Sequence, residues 1–163
     1  MKNLILLVAI SICLFACTST SQKNIEIVKS YVKSVEDMDY NSMEKFLADD
    51  YLGLGPSYGD SINKADAVEY WKMNVTNLYE KIQYTRSRFA AVTIPDGDNK
   101  GEWVANWAEL NIVYKNGMGS ATIWANTNYL VENGKIVRSL TFYNEADVLR
   151  QLGFLMTRKD ENN

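Results

Sequence analysis

The stretch "VENGKIVRSLTFYNEADVLRQLGF", residues 131–154, decides the fold of this chain. Its Asn133-Gly134 pair is a strong signal for a tight β-hairpin, and the run that follows it is typical of a strand. Side chains alternate between the two faces of a strand, so three hydroxyls share one face: Ser139, Thr141 and Tyr143. The opposite face is predicted to carry Ile136, Leu140 and Phe142. Asn144 then caps a short closing helix, which ends near Gly153.

Three earlier segments are also rich in β-branched and aromatic residues and are predicted to be strands: residues 82–94, 102–114 and 121–131. The pairs Asp96-Gly97 and Asn116-Gly117 separate them, which again favours hairpins. Four strands joined in series by hairpins form an antiparallel meander.

The residues before this sheet show helical periodicity. One apolar series has the spacing of a single helix face: Ile25, Val28, Tyr31, Val32 and Val35. Asn41, with Glu44 three residues later, predicts the start of a second short helix, and Asn63 with Asp66 predicts a third. Helices that precede an antiparallel sheet indicate an α+β fold in one domain.

The N-terminal residues 1–17, "MKNLILLVAISICLFAC", are typical of a secretory signal peptide, with Lys2 before a short apolar run. The ending resembles a bacterial lipobox, which implies that Cys17 becomes a lipid-modified first residue. An ordinary signal peptide beside a chance cysteine is the alternative. Residues 18–24 are then a flexible tether, 25–154 the domain and 155–163 a polar tail. By resemblance to enterobacterial sorting, Thr18 favours the outer membrane of a Gram-negative bacterium, with the domain facing the periplasm.

Composition excludes several classes of function. The chain has no histidine, so a Ser-His pair, a histidine base and the commonest transition-metal ligand are all excluded. Its two cysteines both fall in the signal segment, which leaves no disulfide and no catalytic thiol in the domain. The net charge of −3, without a basic tract, disfavours nucleic-acid binding. The loop 97–101, "GDNKG", does not resemble a metal cage, and no cofactor is implied.

The order of elements resembles the nuclear transport factor 2-like superfamily, in particular its SnoaL-like bacterial branch. Two stretches carry this resemblance, "SYVKSVEDMDYNSMEKFLADDY" at 30–51 and "VENGKIVRSLTFYNEADVLRQLG" at 131–153. The resemblance spans Ile25 to Phe154. It implies a cone, in which helices close a curved antiparallel sheet of four to five strands over one pocket. The polar face of the last strand would line that pocket and meet a small, mostly apolar or aromatic ligand.

Ketosteroid isomerase is the relative whose functional residues can be placed most directly on this chain. The resemblance puts its oxyanion-hole tyrosine at Tyr31 and its oxyanion-hole acid at Asn126, eight residues before Gly134. Its catalytic base would fall at Gly55, which cannot remove a proton. The acid of limonene epoxide hydrolase would fall at Thr141, so both activities are disfavoured and a non-catalytic protein is predicted.

Pairing the strands across Asn116-Gly117 places Glu109 opposite Trp124 and Trp107 opposite Asn126. If Asn126 points into the pocket, then Trp107, Glu109, Trp124 and Asn128 point inward as well. Desolvation of Glu109 against Trp124 would raise its pKa and suit it to acid–base chemistry. A register shift of one residue would instead turn Glu109 to solvent.

The leading hypothesis is thus a lipid-anchored protein that binds a small ligand without catalysis. The predicted ligand-binding residues are Tyr31, Trp71, Trp107, Trp124, Asn126, Asn128, Ser139, Thr141 and Tyr143. One alternative is an isomerase, cyclase or hydrolase in which Glu109 is the acid–base and Tyr31 and Asn126 polarise a carbonyl. Another is a structural module that forms a homodimer through an outer sheet face carrying Leu110, Ile112, Ile123, Leu140 and Phe142. A tyrosine such as Tyr31 is more often a core residue with a paired hydroxyl than an oxyanion donor, and Trp71 is equally compatible with an ordinary core position.

Overall fold

The computed structural model describes residues 20–155 and 157. Within them the helices and strands, in chain order, are α1 (residues 20–36), α2 (Tyr40–Phe46), β1 (Leu47–Leu54), β2 (Ser61–Asn63), α3 (Lys64–Asn77), β3 (Tyr79–Ile94), β4 (Gly101–Tyr114), β5 (Gly119–Glu132), β6 (Lys135–Tyr143) and α4 (Glu145–Gln151). The predicted signal segment with Cys17 and most of the predicted tail lie outside the described residues. No helix in the described part of the chain is long and apolar enough to cross a membrane.

The strands form one sheet in the order β2-β1-β6-β5-β4-β3. The predicted meander is β3 to β6, and its antiparallel pairing is confirmed. The sheet has six strands rather than four to five, because β1 adds parallel to β6 and β2 adds to β1. The Gly-rich segment around residue 53 therefore belongs to the sheet, where Gly53 lies beside Ser139.

Two of the three predicted helix starts are confirmed. The Asn63 side chain accepts a hydrogen bond from Asp66 N at 3.0 Å, and Asn144 accepts one from Asp147 N at 3.1 Å. The start of α2 was predicted at Asn41, which is wrong: Asp39 is the cap and accepts from the backbone N–H of the third residue of the helix at 3.0 Å. A carboxylate is favoured there because it also meets the positive end of the helix dipole.

The predicted tether is also corrected. Residues 20–24 belong to α1, and Asn24 is buried, 7% exposed. Ser21 Oγ lies 3.3 Å from Glu102 Oε2 of β4 and donates a hydrogen bond to it. The first described turn of α1 is thus tied to the sheet by a polar contact, which the apolar spacing of the helix does not indicate.

Both tight hairpins have the geometry that the sequence predicts. Asn116 and Gly117 have φ values of 57° and 71°, and Asn133 and Gly134 have 49° and 77°. Two successive residues with positive φ define the turn whose twist matches that of the flanking strands. The β4–β5 register follows from the first of these turns. Trp107 pairs with Asn126 and Glu109 pairs with Trp124, as predicted.

A bulge in β6 interrupts the second hairpin. Ile136 pairs with Val131, but Arg138 pairs with Leu130, so Val137 is an extra residue in β6. We call this position the β6 bulge. A bulge reverses the face of every residue beyond it relative to an unbroken strand.

The consequence appears at the pairs farther along β6. An unbroken hairpin at Asn133-Gly134 would pair Asn126 with Thr141. Instead Thr127 pairs with Thr141, and Asn126 pairs with Phe142. The prediction that Ile136 shares a face with Phe142 is also wrong, because Ile136 is fully buried in the core whereas Phe142 is 50% exposed.

The two faces of the sheet differ in what they contact. One face packs against α1 and α3, and we call it the covered face. Its core contacts include Val28, Tyr31, Val104, Tyr129 and Ile136. A second cluster on the same face joins Ile112, Ala121 and Ile123 to Val148 of α4. The other face, which we call the open face, exposes three aromatic side chains: Trp107, Trp124 and Phe142.

The last helix is fixed to the sheet by one glutamine. β6 ends at Tyr143, which leaves the backbone of Thr122 in β5 without a strand partner on that side. Gln151 takes that place: its side-chain oxygen accepts from Thr122 N, and its amide donates to Thr122 O, both at 2.9 Å. This contact holds α4 next to the end of β6 and closes one end of the covered face.

Candidate functional site

The sheet divides the predicted site residues into two groups. On the covered side lie Tyr31, Trp71, Ser139, Thr141 and Tyr143. On the open face lie Trp107, Glu109, Trp124, Asn126 and Asn128. The two groups therefore cannot line one pocket.

The predicted inward direction of the second group is wrong. The pairing of β4 with β5 is the predicted one, but Trp107 and Trp124 are 48% and 67% exposed. The cause is the β6 bulge: it places Thr127 rather than Asn126 beside Thr141, and so reverses the face of β5 and of β4 with it. The predicted outer-face cluster is reversed in the same way, since Leu110, Ile112 and Ile123 pack into the covered-face clusters, and only Leu140 and Phe142 lie on the open face.

Glu109 is held by polar neighbours on the open face. Thr85 Oγ1 donates to Glu109 Oε1 at 3.0 Å, and Arg86 Nη1 lies 3.3 Å from Glu109 Oε2. Asn126 is bonded too: its amide donates to Asn106 O at 3.2 Å and its oxygen accepts from Asn128 at 3.0 Å. The catalytic arrangement predicted for Glu109, Asn126 and Tyr31 does not form, because Tyr31 packs on the opposite side of the sheet.

Tyrosines fill much of the space beneath α1. The rings of Tyr31 and Tyr129 lie 5.6 Å apart edge to face, and Tyr51 Oη is 2.7 Å from Ser139 Oγ. Burial raises the pKa of Tyr31 and Tyr129 well above the ordinary value, and burial, with a smaller effect of the nearby Glu36 carboxylate, raises the pKa of Tyr84 to about 12. These hydroxyls stay protonated near neutral pH, so they can donate hydrogen bonds but do not act as bases.

A row of polar side chains crosses the middle of the covered face. Asn106, Thr127 and Thr141 pair in sequence across β4, β5 and β6, and we call them the polar row. The two threonine hydroxyls are 3.2 Å apart. Asn106 is 2% exposed, and its amide donates to Arg88 O at 3.4 Å, which is longer than a normal hydrogen bond.

The sequence analysis missed Asn106 and Thr127. A signal for Asn106 exists, because it interrupts an otherwise apolar parity of β4: Val104, Ala108, Leu110 and Ile112. Buried amides in central strands need a reason, since polar groups removed from water must find partners. The covered parity is the more aliphatic one, and that criterion alone would have chosen the correct face.

Trp71 lies at the side of this region, on α3. It is partly buried against the core cluster, and its ring centre is 6.1 Å from that of Tyr79. Trp71, a predicted ligand-binding residue, therefore lies on the covered side, where the same contacts serve the core.

The open face carries a broad groove of about 670 Å³. Its lining is Trp107, Trp124, Ala125, Asn126, Phe142, Tyr143, Asn144 and Glu145. The groove lies at the end of β6, where Tyr143 leads into α4. Within residues 20–155, no group of three His, Cys, Asp or Glu side chains is placed to hold a metal ion.

Known structures share this fold. A protein of Xanthomonas campestris pv. campestris, described as a candidate polyketide cyclase, matches with a TM-score of 0.65 at 18% identity, over 80% of this chain and 97% of its own. An LEH-like epoxide hydrolase of M. tuberculosis matches with a TM-score of 0.61 at 13% identity, over 80% of this chain and 90% of its own. An NTF2-like protein of Burkholderia xenovorans LB400 matches with a TM-score of 0.62 at 16% identity, over 80% of this chain and 96% of its own.

The chain therefore has the α+β cone fold of the NTF2-like and ketosteroid isomerase-like proteins, as predicted. SnoaL-like polyketide cyclases are among the proteins that share it. No family model and no curated protein matches the chain. At these identities the likeness establishes the fold, and one fold supports many activities.

Proposed function

We propose that this protein is a membrane-tethered binding protein that holds a small, mostly apolar or aromatic molecule against the covered face, without catalysis. The polar row carries this proposal. A few uncharged polar groups set among aromatic and aliphatic side chains are the usual lining of a small-molecule site. Asn106 supports it most directly, because a nearly fully buried amide with one long hydrogen bond has capacity left for a ligand.

The chemistry of the covered face supports binding rather than acid–base catalysis. The groups of the polar row are an amide and two hydroxyls, and the buried tyrosines nearby stay protonated. The position that the resemblance gives to a catalytic base is Gly55, where φ is +87° and a Cβ would meet Thr141 O at 2.4 Å. A carboxylate side chain does not fit at that position. Glu109, the acid–base of the enzymatic alternative, lies on the other face.

Native mass spectrometry of the purified full chain tests the proposal. We expect a small molecule to be retained, and we expect the double variant Thr127→Val with Thr141→Val to retain much less, because it keeps the shape and removes two hydroxyls. Trp124→Ala on the open face is the matched control and should not change retention. Loss of the molecule in the control but not in the double variant would place the ligand in the open-face groove instead.

The membrane tether is part of the proposal. We infer that Cys17 is lipid-modified after export and that the domain faces the periplasm from the outer membrane. This rests on the signal-like residues 1–17. Labelled palmitate should enter the parent protein but not Cys17→Ser, and membrane fractionation should place the label with outer-membrane markers. Labelling of the Cys17→Ser protein would contradict the assignment.

A homodimer through the open face is a second proposal, compatible with the first. The observation that favours it is the exposure of Trp107, Trp124 and Phe142 on neighbouring strands. Exposed clusters of large apolar side chains commonly mark association surfaces. Light scattering should give twice the chain mass for the parent and a monomer for Trp124→Glu, whereas a monomeric parent would rule out this use of the face.

A further inference from the structure

A buried hydroxyl in β3 has no hydrogen-bond partner. Ser87 Oγ is the one buried side-chain oxygen or nitrogen of the described residues that lacks a partner. Buried polar groups are nearly always paired, since an unpaired one costs free energy of folding. An unpaired hydroxyl at a buried point of this edge strand therefore indicates a role outside the protein's own hydrogen bonds.

A second bulge places this hydroxyl. Thr85 pairs with Glu109 and Arg88 with Trp107, so Arg86 and Ser87 together face the single residue Ala108. Arg86 has a φ of +52°, an uncommon conformation for a residue with a side chain, and its guanidinium extends to Glu109 on the open face. Arg88 shares the open face with its partner Trp107, so the preceding Ser87 side chain, whose oxygen is buried, lies on the covered side next to the polar row.

Ser87 and Asn106 are diagonal neighbours on that side. Phe89 pairs with Asn106 and Ser87 lies opposite Ala108, two residues along β4. Diagonal neighbours in an antiparallel sheet are roughly 7 Å apart, a distance that a small ligand can bridge. In the described part of the chain the Asn106 side chain makes one hydrogen bond, a long one, and its oxygen accepts none.

We propose that Ser87 and Asn106 form a recognition subsite for the amide edge of a neutral, flat ligand, such as a lactam, an imide or an aryl carboxamide. This inference rests on the proposed function and names the chemical class of its ligand. An amide edge presents one N–H donor beside one carbonyl acceptor. The Asn106 oxygen accepts from the first and its amide donates to the second, while the Ser87 hydroxyl adds a further donor or acceptor.

The surroundings determine the charge and shape of this ligand. The polar row and Ser87 are uncharged. Two charged groups lie beside the flanking strand, and both are already paired: Glu36 accepts from Tyr84 N at 2.7 Å, and Lys29, 6.0 Å from the Phe89 ring, donates to Glu26. Arg86 is paired with Glu109 on the open face, so no free counter-charge faces the subsite. A buried ionic ligand without a counter-charge is strongly disfavoured, so the ligand is neutral. Partly buried aromatic side chains flank the subsite along β3, Tyr84 before the bulge and Phe89 after it, which suits a planar ring system.

Calorimetric titration of the full chain with three probes tests the inference. The probes are 2-quinolinone, which has an amide edge, 1-methyl-2-quinolinone, in which the N–H is blocked, and naphthalene, which has no polar edge. We expect 2-quinolinone to bind at least about tenfold more tightly than either of the others, as two extra hydrogen bonds provide. Asn106→Leu should remove this preference and leave naphthalene binding unchanged.

Ser87→Ala is the matched variant of the hydroxyl. We expect it to weaken 2-quinolinone binding severalfold and to leave the melting temperature of the ligand-free protein unchanged or higher, because it removes an unpaired polar group. A clear fall in melting temperature would mean that the hydroxyl has a structural partner, which overturns its assignment to the ligand.

The outcomes separate this inference from the proposed function. Equal binding of the three probes, or a preference that survives Asn106→Leu, overturns the amide-edge subsite and leaves a binding protein for apolar molecules. The subsite is also overturned if none of the three probes binds. If the full chain also retains no small molecule in native mass spectrometry, the proposed function fails with it.

Discussion

The covered and open faces of the sheet use the same strands but obey different physical constraints. On β5, Tyr129 is 4% exposed and contacts a tyrosine of α1, whereas Trp124, also aromatic, is 67% exposed. On the covered side, a substitution that changes the shape or the hydrogen bonds of a buried side chain lowers the free energy of unfolding. On the open side, water replaces the lost contacts, so substitutions cost little. The difference teaches that an aromatic side chain marks the core or the pocket of a strand only when the face of that strand is known.

Polar residues on the two faces show the same contrast. Asn126 and Asn128 on the open face bond to each other and to the backbone, so their amides are paired within the protein. Asn106 on the covered face is more buried and less well paired. We therefore assign the ligand-binding role to Asn106, which lies among apolar residues of β4, rather than to Asn126 and Asn128.

The largest expected effect comes from inserting one alanine between Arg138 and Ser139. The insertion shifts the pairing beyond the β6 bulge by one position and should place Asn126 opposite Thr141, which sets the covered face of β5 against the wrong face of β6. We expect a loss of more than about 4 kcal/mol in the free energy of unfolding, measured by urea denaturation. Inserting one alanine after Asp98, in the exposed β3–β4 loop, is the control and should change stability by only about 0.6 kcal/mol. Equal stability of the two insertion variants would show that the pairing of β6 with β5 does not determine the faces.

The next effect compares two aromatic residues on one strand. Tyr129→Ala should cost about 3–5 kcal/mol, because it empties a filled position beneath α1. Trp124→Ala should change the free energy of unfolding by less than about 0.5 kcal/mol, because its side chain is largely in solvent. Chemical denaturation of both variants measures the difference. A larger loss at Trp124 would reverse our assignment of the faces, unless the chain is a dimer at the concentration used.

Alkaline pH should weaken the covered side selectively. The pKa of Tyr84 is about 12 in the folded chain against an ordinary 10.0. Below about pH 10 both states keep the phenol proton, but between pH 10 and 12 only the folded state keeps it, so stability falls as pH rises. The slope is about 1.4 kcal/mol per pH unit for this one tyrosine.

Denaturation midpoints across pH 9 to 12 measure this slope, and Tyr84→Phe should make it shallower. Tyr58→Phe, at a fully exposed tyrosine in the β1–β2 loop, is the control. If Tyr84→Phe and Tyr58→Phe alter the slope equally, burial of Tyr84 is not the cause.

The smallest expected effect concerns the Arg86–Glu109 ion pair of the open face. Its arginine side chain is 68% exposed, so solvent screens the interaction. A double-mutant cycle with Arg86→Ala and Glu109→Gln should give a coupling of about 0.2–1 kcal/mol, and less at high salt. A coupling of several kcal/mol would mean that the open face is buried, for example in a dimer.

Much of the fold could be predicted from local signals. Hairpin pairs such as Asn116-Gly117 set the strand register, and Asn63 and Asn144 set two helix starts, because each signal acts over only a few residues. The parallel partner β1 could not be predicted in this way, since its pairing with β6 joins residues far apart in sequence. The candidate site was predicted in part. Ser139 and Thr141 do lie on the covered side, but Asn126, which was predicted to line the same pocket, lies on the open face.

The sequence by itself determined the α+β order, the four-strand meander, the hydroxyl-bearing face of β6 and the absence of histidine chemistry. These follow from composition and from contacts between near neighbours. Only the tertiary structure decided which residues of β5 share a face with the hydroxyls of β6. That choice depends on one extra residue in β6, which shifts the pairing by a single position. Because side chains alternate with a period of two, such a shift exchanges the faces of the whole sheet beyond it.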